Sequence, residues 1–330
     1  MNPTSRLRAV VAASLVCAAS ATLAVPSYHL VDLGANTVAN AINNHGVVAG
    51  AQGRFAAIYR DGAWHRKPAG WQASAIDDDL DLGGVGPGAS GLVYRPAGGA
   101  AISLPVPIQS DTGFYLGGIA PGKAVFHGFG VAENDYRCIL WTQEAGAVDI
   151  SGSTRSCSAH GVNVAGQVAG TGIAEGSEDV TAFLWQDGVF TNLGALGGRE
   201  SEAVAINARG HVAMTAYTAA NGGDSVSHLA LYNGRKVVNL GSLSTHGAVA
   251  YGMNDRDEVI GLSWDKKYGR HAVLSSGGVL TKLDEVVDNL PADWDLGTPS
   301  GIDNAGVIVG TAYVGELMEM HGYMLVPNPQ

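Results

Sequence analysis

Two phrases near opposite ends of the chain, "ANAINNHGVVAG" at 39–50 and "PSGIDNAGVIVG" at 299–310, are nearly the same text. Their shared pattern is apolar, Asn or Asp, two free positions, Gly, then a Val-containing stretch ending in Gly. It returns at Ile42-Asn43, Val162-Asn163, Ile206-Asn207, Met253-Asn254 and Ile302-Asp303, with a degenerate copy at Ile76-Asp77. The anchor positions 43, 77, 163, 207, 254 and 303 are separated by 34, 86, 44, 47 and 49 residues. The step of 86 is two periods of 43, so a further anchor is expected inside "GGIAPGKAVFHG", around 119–128. That makes seven units.

A second pattern counts the same way. It reads "FAAIY" (55–59), "SGLVY" (90–94), "RCILW" (137–141), "TAFLW" (181–185), "HLALY" (228–232), "HAVLS" (271–275) and "HGYML" (321–325). A third stretch follows a Gly turn, as in "GVFTNLG" (188–194) and "GRKVVNLG" (234–241). Each unit therefore has room for four short strands joined by Gly/Asn/Asp turns, and four strands per 40–45 residues is the sequence pattern of propeller blades. Asn-x-x-Gly reads as the turn between the first two strands: Asn bonds its own backbone two residues on, and Gly supplies a positive φ.

The last unit ends at "HGYMLVPNPQ" with its third strand and no outer one. Near the other end, "YHLVDLGAN" (28–36) reads like the missing stretch. The expected fold is all-β, a seven-bladed β-propeller closed by residues 28–33 pairing antiparallel with the strand around 322–325. This would bury an edge that a ring cannot leave open without weakening its seam.

The units resemble the HAF-repeat family of bacterial extracellular repeat proteins. The match is carried by Ala205-Ile206-Asn207-Ala208-Arg209-Gly210, by Thr181-Ala182-Phe183-Leu184-Trp185-Gln186-Asp187-Gly188, and by Leu193-Gly194-Ala195-Leu196-Gly197-Gly198. Units two and three depart from it. The resemblance implies an exported repeat protein and supplies no catalytic residues.

Residues 1–24 read independently as a secretory leader. Arg6 and Arg8 precede the apolar "AVVAASLVCAASATLA", and small residues permit cleavage after Ala24 or Ala21. Val16 is too large for a good lipoprotein site at Cys17, and no run reaches the length of a membrane span. Residues 25–330 are thus expected to form one domain, monomeric, secreted or periplasmic. The net charge of −11 repels phosphate backbones, which argues against nucleic acid as a partner. Export exposes the two remaining cysteines, Cys138 and Cys157, to an oxidising compartment, and a disulfide between them is expected.

Three motifs invite a chemical reading. Asp77, Asp79 and Asp81 alternate like calcium ligands, but the loop lacks the required Gly and the closing Glu, so a solvated acidic turn competes with a calcium site. His228, His271 and His321 open the same strand in successive blades; the ring holds them too far apart to share a metal and favours a repeated packing or hydrogen-bonding role. "GPGASG" at 86–91 matches a dinucleotide loop in letters only, with no helix after it. No other catalytic motif is present, and no cofactor is expected beyond that calcium reading.

The units differ most in the loops between second and third strands and in the connections between blades, which share one face. A rigid scaffold with one variable face is how loops carry binding. The candidate ligand residues there are Asp135, Tyr136, Glu178, Asp179, Trp264, Lys267, Tyr268, Trp294 and Asp295. The expected function is a non-enzymatic binding module for a polysaccharide, peptide or protein. The alternative is a hydrolase or lyase built from carboxylates and histidines of the same face.

Overall fold

In the computed structural model, residues 26–67, 71–86, 91–108, 113–130, 135–152, 154–220 and 225–329 are described; the leader lies outside them. They form seven four-stranded antiparallel sheets arranged as a propeller. Blade 1 runs outward through Thr37–Ile42, Val48–Gln52, Phe55–Arg60 and Ala63–Arg66. The inner strands of blades 2 to 7 are Gln72–Ile76, Phe114–Ala120, Ser156–Val162, Gly197–Ile206, Ala248–Met253 and Trp294–Ile302. The expected third anchor is a tight Pro121-Gly122 turn between Phe114–Ala120 and Lys123–Gly130, too short to need an Asn cap. Among the described residues no helix is long and apolar enough to cross a membrane.

The core is divided among the blade junctions. Each of seven apolar clusters lies between neighbouring sheets, such as Val47, Ile58, Trp71 and Leu82 between blades 1 and 2. Period-two alternation explains this: a strand between two neighbours turns apolar side chains both ways.

Every inner strand carries a β-bulge in its middle, at Asn40, Ser74, Gly117, His160, Val204, Tyr251 and Ser300. A bulge adds bend and twist, which the strand nearest the axis needs. It also explains the last Gly of the repeated phrase. Gly50 sits opposite the bulge, and a Cβ there would lie 1.9 Å from the Val38 carbonyl oxygen. The first Gly of the phrase, Gly46, has φ +71 in the turn.

Blade 7 is completed by Tyr28–Ala35, its outermost strand, lying beside Glu319–Pro327 with Leu30 opposite Leu325 and Asp32 opposite Tyr323. The free edge of this strand is held too: Asn289 Oδ1 accepts the Leu30 N–H (2.7 Å), and its Nδ2 donates to the Leu30 carbonyl (3.2 Å). The seam is chemically an ordinary junction. Thr37 Oγ1 donates to Gly34 O (2.6 Å) and accepts the Gly322 N–H (2.9 Å), as Ser201 Oγ does with Gly194 O (2.6 Å) and Ala182 N–H (2.9 Å) between blades 4 and 5.

Cys138 and Cys157 are joined in a disulfide with their Cα atoms 5.4 Å apart. Both are buried, and Cys157 lies within the inner strand of blade 4, not in the connection before it. The bond staples the third strand of blade 3 to the inner strand of blade 4.

Two stability outcomes follow from these junctions. Removing residues 26–34 strips Tyr28, Leu30 and Leu33 from the core and uncovers the edge of blade 7. At about 1.5 to 3 kcal/mol per buried side chain, the loss should be at least about 4 kcal/mol, read as a single shifted denaturant transition. Substituting both cysteines by Ala should cost about 3 kcal/mol, the loop-closure value for a bridge across 19 residues, measured by chemical denaturation; an unchanged midpoint would contradict the staple.

Candidate functional site

The two faces of the ring are built by different rules. On the face carrying the Asn-x-x-Gly turns, each anchor side chain caps its own turn: Asn43 Oδ1 accepts the N–H groups of His45 (3.1 Å) and Val47 (3.0 Å). Its Nδ2 then donates to the carbonyl of the next anchor, Asp77 (2.9 Å). The same link runs from Asn163 to Asn207 (3.1 Å), Asn207 to Asn254 (3.3 Å) and Asn254 to Asp303 (2.9 Å). At four of the junctions the residue after the anchor adds a second link. The N–H of Ala208 bonds to Asp255, that of Asp255 to Asn304, that of Asn304 to Asn44 across the seam, and that of Asn44 to Asp78.

Inside these links the inner strands end in a ring of apolar side chains, including Ile42, Ile76, Ile119, Val162, Ile206 and Met253. They wall an open funnel of about 270 Å³ on the axis. Asp77 is where the pattern fails. Its Oδ1 caps the turn through the N–H groups of Asp79 and Asp81 (3.0 Å each), but an Asp has no amide to donate onward. Its Oδ2 is buried without a partner. Burial pushes this carboxyl up to about 7; the N–H groups it receives pull it down, while the Asp81 and Asp79 charges add to the rise. Asp303, the other Asp anchor, is also raised by burial.

The acidic run is therefore turn machinery. Asp81 is bonded to the Tyr94 hydroxyl and accepts the Ala97 N–H (2.8 Å), and Tyr94 in turn accepts the Gly122 N–H of blade 3 (2.8 Å). This bridge stands where blade 3 lacks an anchor Asn. Among the described residues no group of three or more His, Cys, Asp or Glu could hold a metal ion, so Asp77, Asp79 and Asp81 do not converge as calcium ligands.

The three histidines share one repeated contact. Each stands at the start of a third strand and bonds to a polar residue at or just after the end of the outer strand beside it: His228 to Asn239 (2.9 Å), His271 to Asp284 (2.9 Å) and His321 to Asp32 (3.0 Å). Asp32 and Asn239 also cap the turn that follows them, through the N–H groups of Gly34 (2.7 Å) and Gly241 (2.8 Å).

The opposite, loop face holds the candidate ligand residues, spread around the ring. Tyr136 is in blade 3, where Asp135 begins the third strand; its ring meets Phe129 and His127 edge-on. Glu178 is exposed, and Asp179 is paired with Arg199 (2.7 Å). Lys267 and Tyr268 sit in the second-to-third-strand loop of blade 6, and Tyr268 stacks on His246 with ring centroids 3.7 Å apart. Asp295 is paired with Arg270 (3.4 Å). Both tryptophans are half-buried, so neither is a free platform. Trp294 packs on the cluster between blades 6 and 7 and meets His321 edge-on.

Beside Tyr268, a cavity of about 470 Å³ opens between blades 5 and 6, lined by His228, His246, Lys266, Ser242, Ser244 and Thr245, among others. Sequence reading missed His246, and also Tyr115, His160 and Tyr251 of the inner strands. The last two occupy bulges, which turn side chains out of the alternating pattern. Their signal is that this position varies between units while its flanking residues stay small: Ala39-Asn40-Ala41, Ala73-Ser74-Ala75, Ala159-His160-Gly161, Ala250-Tyr251-Gly252. Burial and the adjacent His127 push His160 down to about 4. His127 donates from Nδ1 to the Ala159 carbonyl (3.0 Å) and stacks against Tyr115.

The Asp77 carboxyl has a pH consequence. Its pKa is raised on folding from the ordinary carboxylate value, so the fold favours the neutral form. Its contribution is complete below about pH 4 and is lost as pH rises through about 7. Asp77→Asn, which restores the repeated phrase, should stabilise the protein at pH 8 by up to about 4 kcal/mol and have little effect at pH 4. Urea midpoints at the two pH values check this; equal shifts at both would contradict it.

No family model matches the chain, and no curated protein matches it. Among solved structures, it is similar to the β-propeller domain of the Trilobed protease from Pyrococcus furiosus, with TM-score 0.59 and 10% identity, covering 90% of this chain and 95% of that one. It is also similar to a streptogramin B lyase, with TM-score 0.53 and 11% identity over 91% and 98% of the two chains. A virginiamycin B lyase from Staphylococcus aureus with quinupristin gives TM-score 0.53 and 12% identity over 91% and 100%. At these identities the likeness shows the fold: the chain is a seven-bladed β-propeller.

Proposed function

We propose that the protein is an exported binding module of the HAF-repeat kind that takes a polysaccharide through its loop face. One observation carries this reading. Every exposed aromatic side chain among the described residues, Tyr115 (53%), Tyr136 (37%), Tyr251 (42%) and Tyr268 (72%), belongs to the loop half of the ring or, for Tyr251, to the bulge of an inner strand. Exposed Leu317, Met318 and Met320 extend that face, while the turn face exposes large apolar side chains only as valines such as Val164, Val189 and Val279.

Tyrosine rings combine an apolar face with a polar tip, which suits stacking on sugar rings. Ser242, Ser244 and Thr245 give the cavity beside Tyr268 a polar wall, which suits a ligand rich in hydroxyls. Export, secreted or periplasmic, rests on the leader sequence.

A hydrolase or lyase at the same face gains no support from the His–carboxylate pairs. His271 with Asp284 and His321 with Asp32 repeat a strand-end contact that His228 makes with Asn239, and the second carboxylate at His271, Asp265 (3.4 Å), caps its own loop through the N–H groups of Lys267 and Gly269.

A glycan array should return a polysaccharide class whose binding falls at least tenfold in Tyr268→Ala and in Tyr115→Ala, with melting temperatures unchanged. Turnover of any glycan in a parallel hydrolase and lyase assay, or binding indifferent to both substitutions, would overturn the proposal.

A further inference from the structure

Blade 1 carries positive charge that the chain as a whole does not have. Residues 37–67 hold Arg54, Arg60, Arg66 and Lys67 against a single acidic residue, Asp61, in a protein of net charge −11. Burial and the like charges of Arg95 and Arg60 hold Lys67 below the ordinary lysine value. Two of these cations meet on the loop face. The Arg54 and Arg66 guanidinium carbons lie 5.4 and 5.0 Å from the centre of the Phe55 ring. Both arginines are exposed, and among the described residues neither is paired with a carboxylate. Glu319, on the adjoining hairpin of blade 7, accepts instead from the Asn36 amide (3.4 Å) and lies 4.0 Å from His321. Arg66 Nε donates to Gln52 Oε1 (2.9 Å), a neutral partner that orients the guanidinium and leaves its two terminal nitrogens free for a ligand.

The repeat shows that Arg66 stands where other blades put an acceptor. Opposite the middle residue of the third-strand phrase, the outer strand carries Asp32 in blade 7, Asp149 in blade 3, Asn192 in blade 4 and Asn239 in blade 5. Each caps the turn after it through an N–H two residues on, at 2.7 to 2.9 Å. Blade 6 has Lys282 there and pairs it with Glu285 (3.0 Å). Arg66, opposite Ala57, has no acceptor atom to cap a turn and no counter-charge. The position has given up its structural task, and a second guanidinium and an aromatic ring stand beside it.

We propose that Arg54 and Arg66 hold the carboxylates of hexuronic acid units, so that the polysaccharide taken by the loop face is an acidic one; this rests on the loop-face reading above and narrows its ligand class. Each part of the ligand answers an observation. Two guanidinium groups without counter-charges call for an anion, and their planar forks match the two parallel oxygens of a carboxylate. The Phe55 ring, between them and part-buried, offers a sugar the same kind of apolar face as the tyrosines elsewhere on this side of the ring. The acidic remainder of the protein repels an extended anionic sheet such as a membrane, whereas a single chain can lie across blade 1 alone.

The test is calorimetric titration of the intact protein with an oligogalacturonate and an alginate oligosaccharide, each beside the same oligosaccharide with its carboxyl groups reduced to hydroxymethyl. In at least one pair the acidic form should bind at least tenfold more tightly than the reduced form at low salt. That difference should collapse at about 1 M ionic strength, where the Debye length is about 3 Å. Arg54→Gln and Arg66→Gln should each weaken the acidic form at least fivefold with melting temperatures unchanged. Arg66→Lys, which keeps the charge without the fork, should recover only part of the loss. Arg235→Gln, which removes the same charge from the turn face, should change nothing. Equal affinity within both pairs, a loss in Arg235→Gln as large as in Arg66→Gln, or poly-glutamate bound as tightly as the acidic oligosaccharide would overturn the proposal. A neutral glycan bound through Tyr268 with no preference for carboxylates would overturn it and leave the loop-face reading standing, whereas failure to bind any glycan would end both.

Discussion

The ring depends on one side-chain amide used twice. An anchor Asn accepts two N–H groups of its own turn with Oδ1 and donates with Nδ2 to the next blade's anchor carbonyl, so one residue fixes a local turn and a junction together. Of the residues that cap such turns, Ser and Thr have one polar atom and Asp has no donor. That chemistry explains why the phrase around Asn43 survives in nearly the same letters around Asn163, Asn207 and Asn254, while the side chains that fill the junctions differ from blade to blade. The donor always points from one blade to the following one, which gives the turn face a single sense of rotation.

The same logic marks out the exceptions. Asp77 and Asp303 preserve the turn and lack the outward donor, and both are the anchors whose carboxyl burial raises. Blade 3 drops the anchor and is held through Tyr94 and Gly122 instead. Two of the three departures fall at blades 2 and 3, where the repeated phrase is hardest to recognise, so weak sequence similarity there reflects a different way of joining the sheets; the third, Asp303 in blade 7, keeps the phrase.

Much of the architecture was legible because it is periodic. The count of seven comes from spacing; the placement of residues 28–33 comes from noticing that one unit lacks what another position has in excess. The bulges were not legible in advance, because a single extra residue leaves the spacing of a strand almost untouched. Their consequence, side chains such as His160 and Tyr251 shifted out of the alternating pattern, therefore escaped a reading based on alternation. Trp264 and Trp294 illustrate the converse error: they sit where loops begin, yet strand-end packing keeps them half-buried. Loop position says where exposure is allowed, and neighbours decide whether it occurs.

The pairing of Tyr28–Ala35 with Glu319–Pro327 also sets how the ring responds to force. Residues 27 and 328 lie side by side, with the Asn328 N–H bonded to the Ser27 carbonyl (2.9 Å) and its side-chain amide to the Ser27 hydroxyl (2.9 Å). Tension applied between these two points loads the first cross-strand bonds alone, and each rupture passes the load to the next, in the manner of a zipper. Tension applied across the ring, between one blade and the blade opposite, must instead shear whole junctions at once. The propeller is thus mechanically anisotropic: compliant to a pull that separates its ends, and stiff to one that stretches the circle.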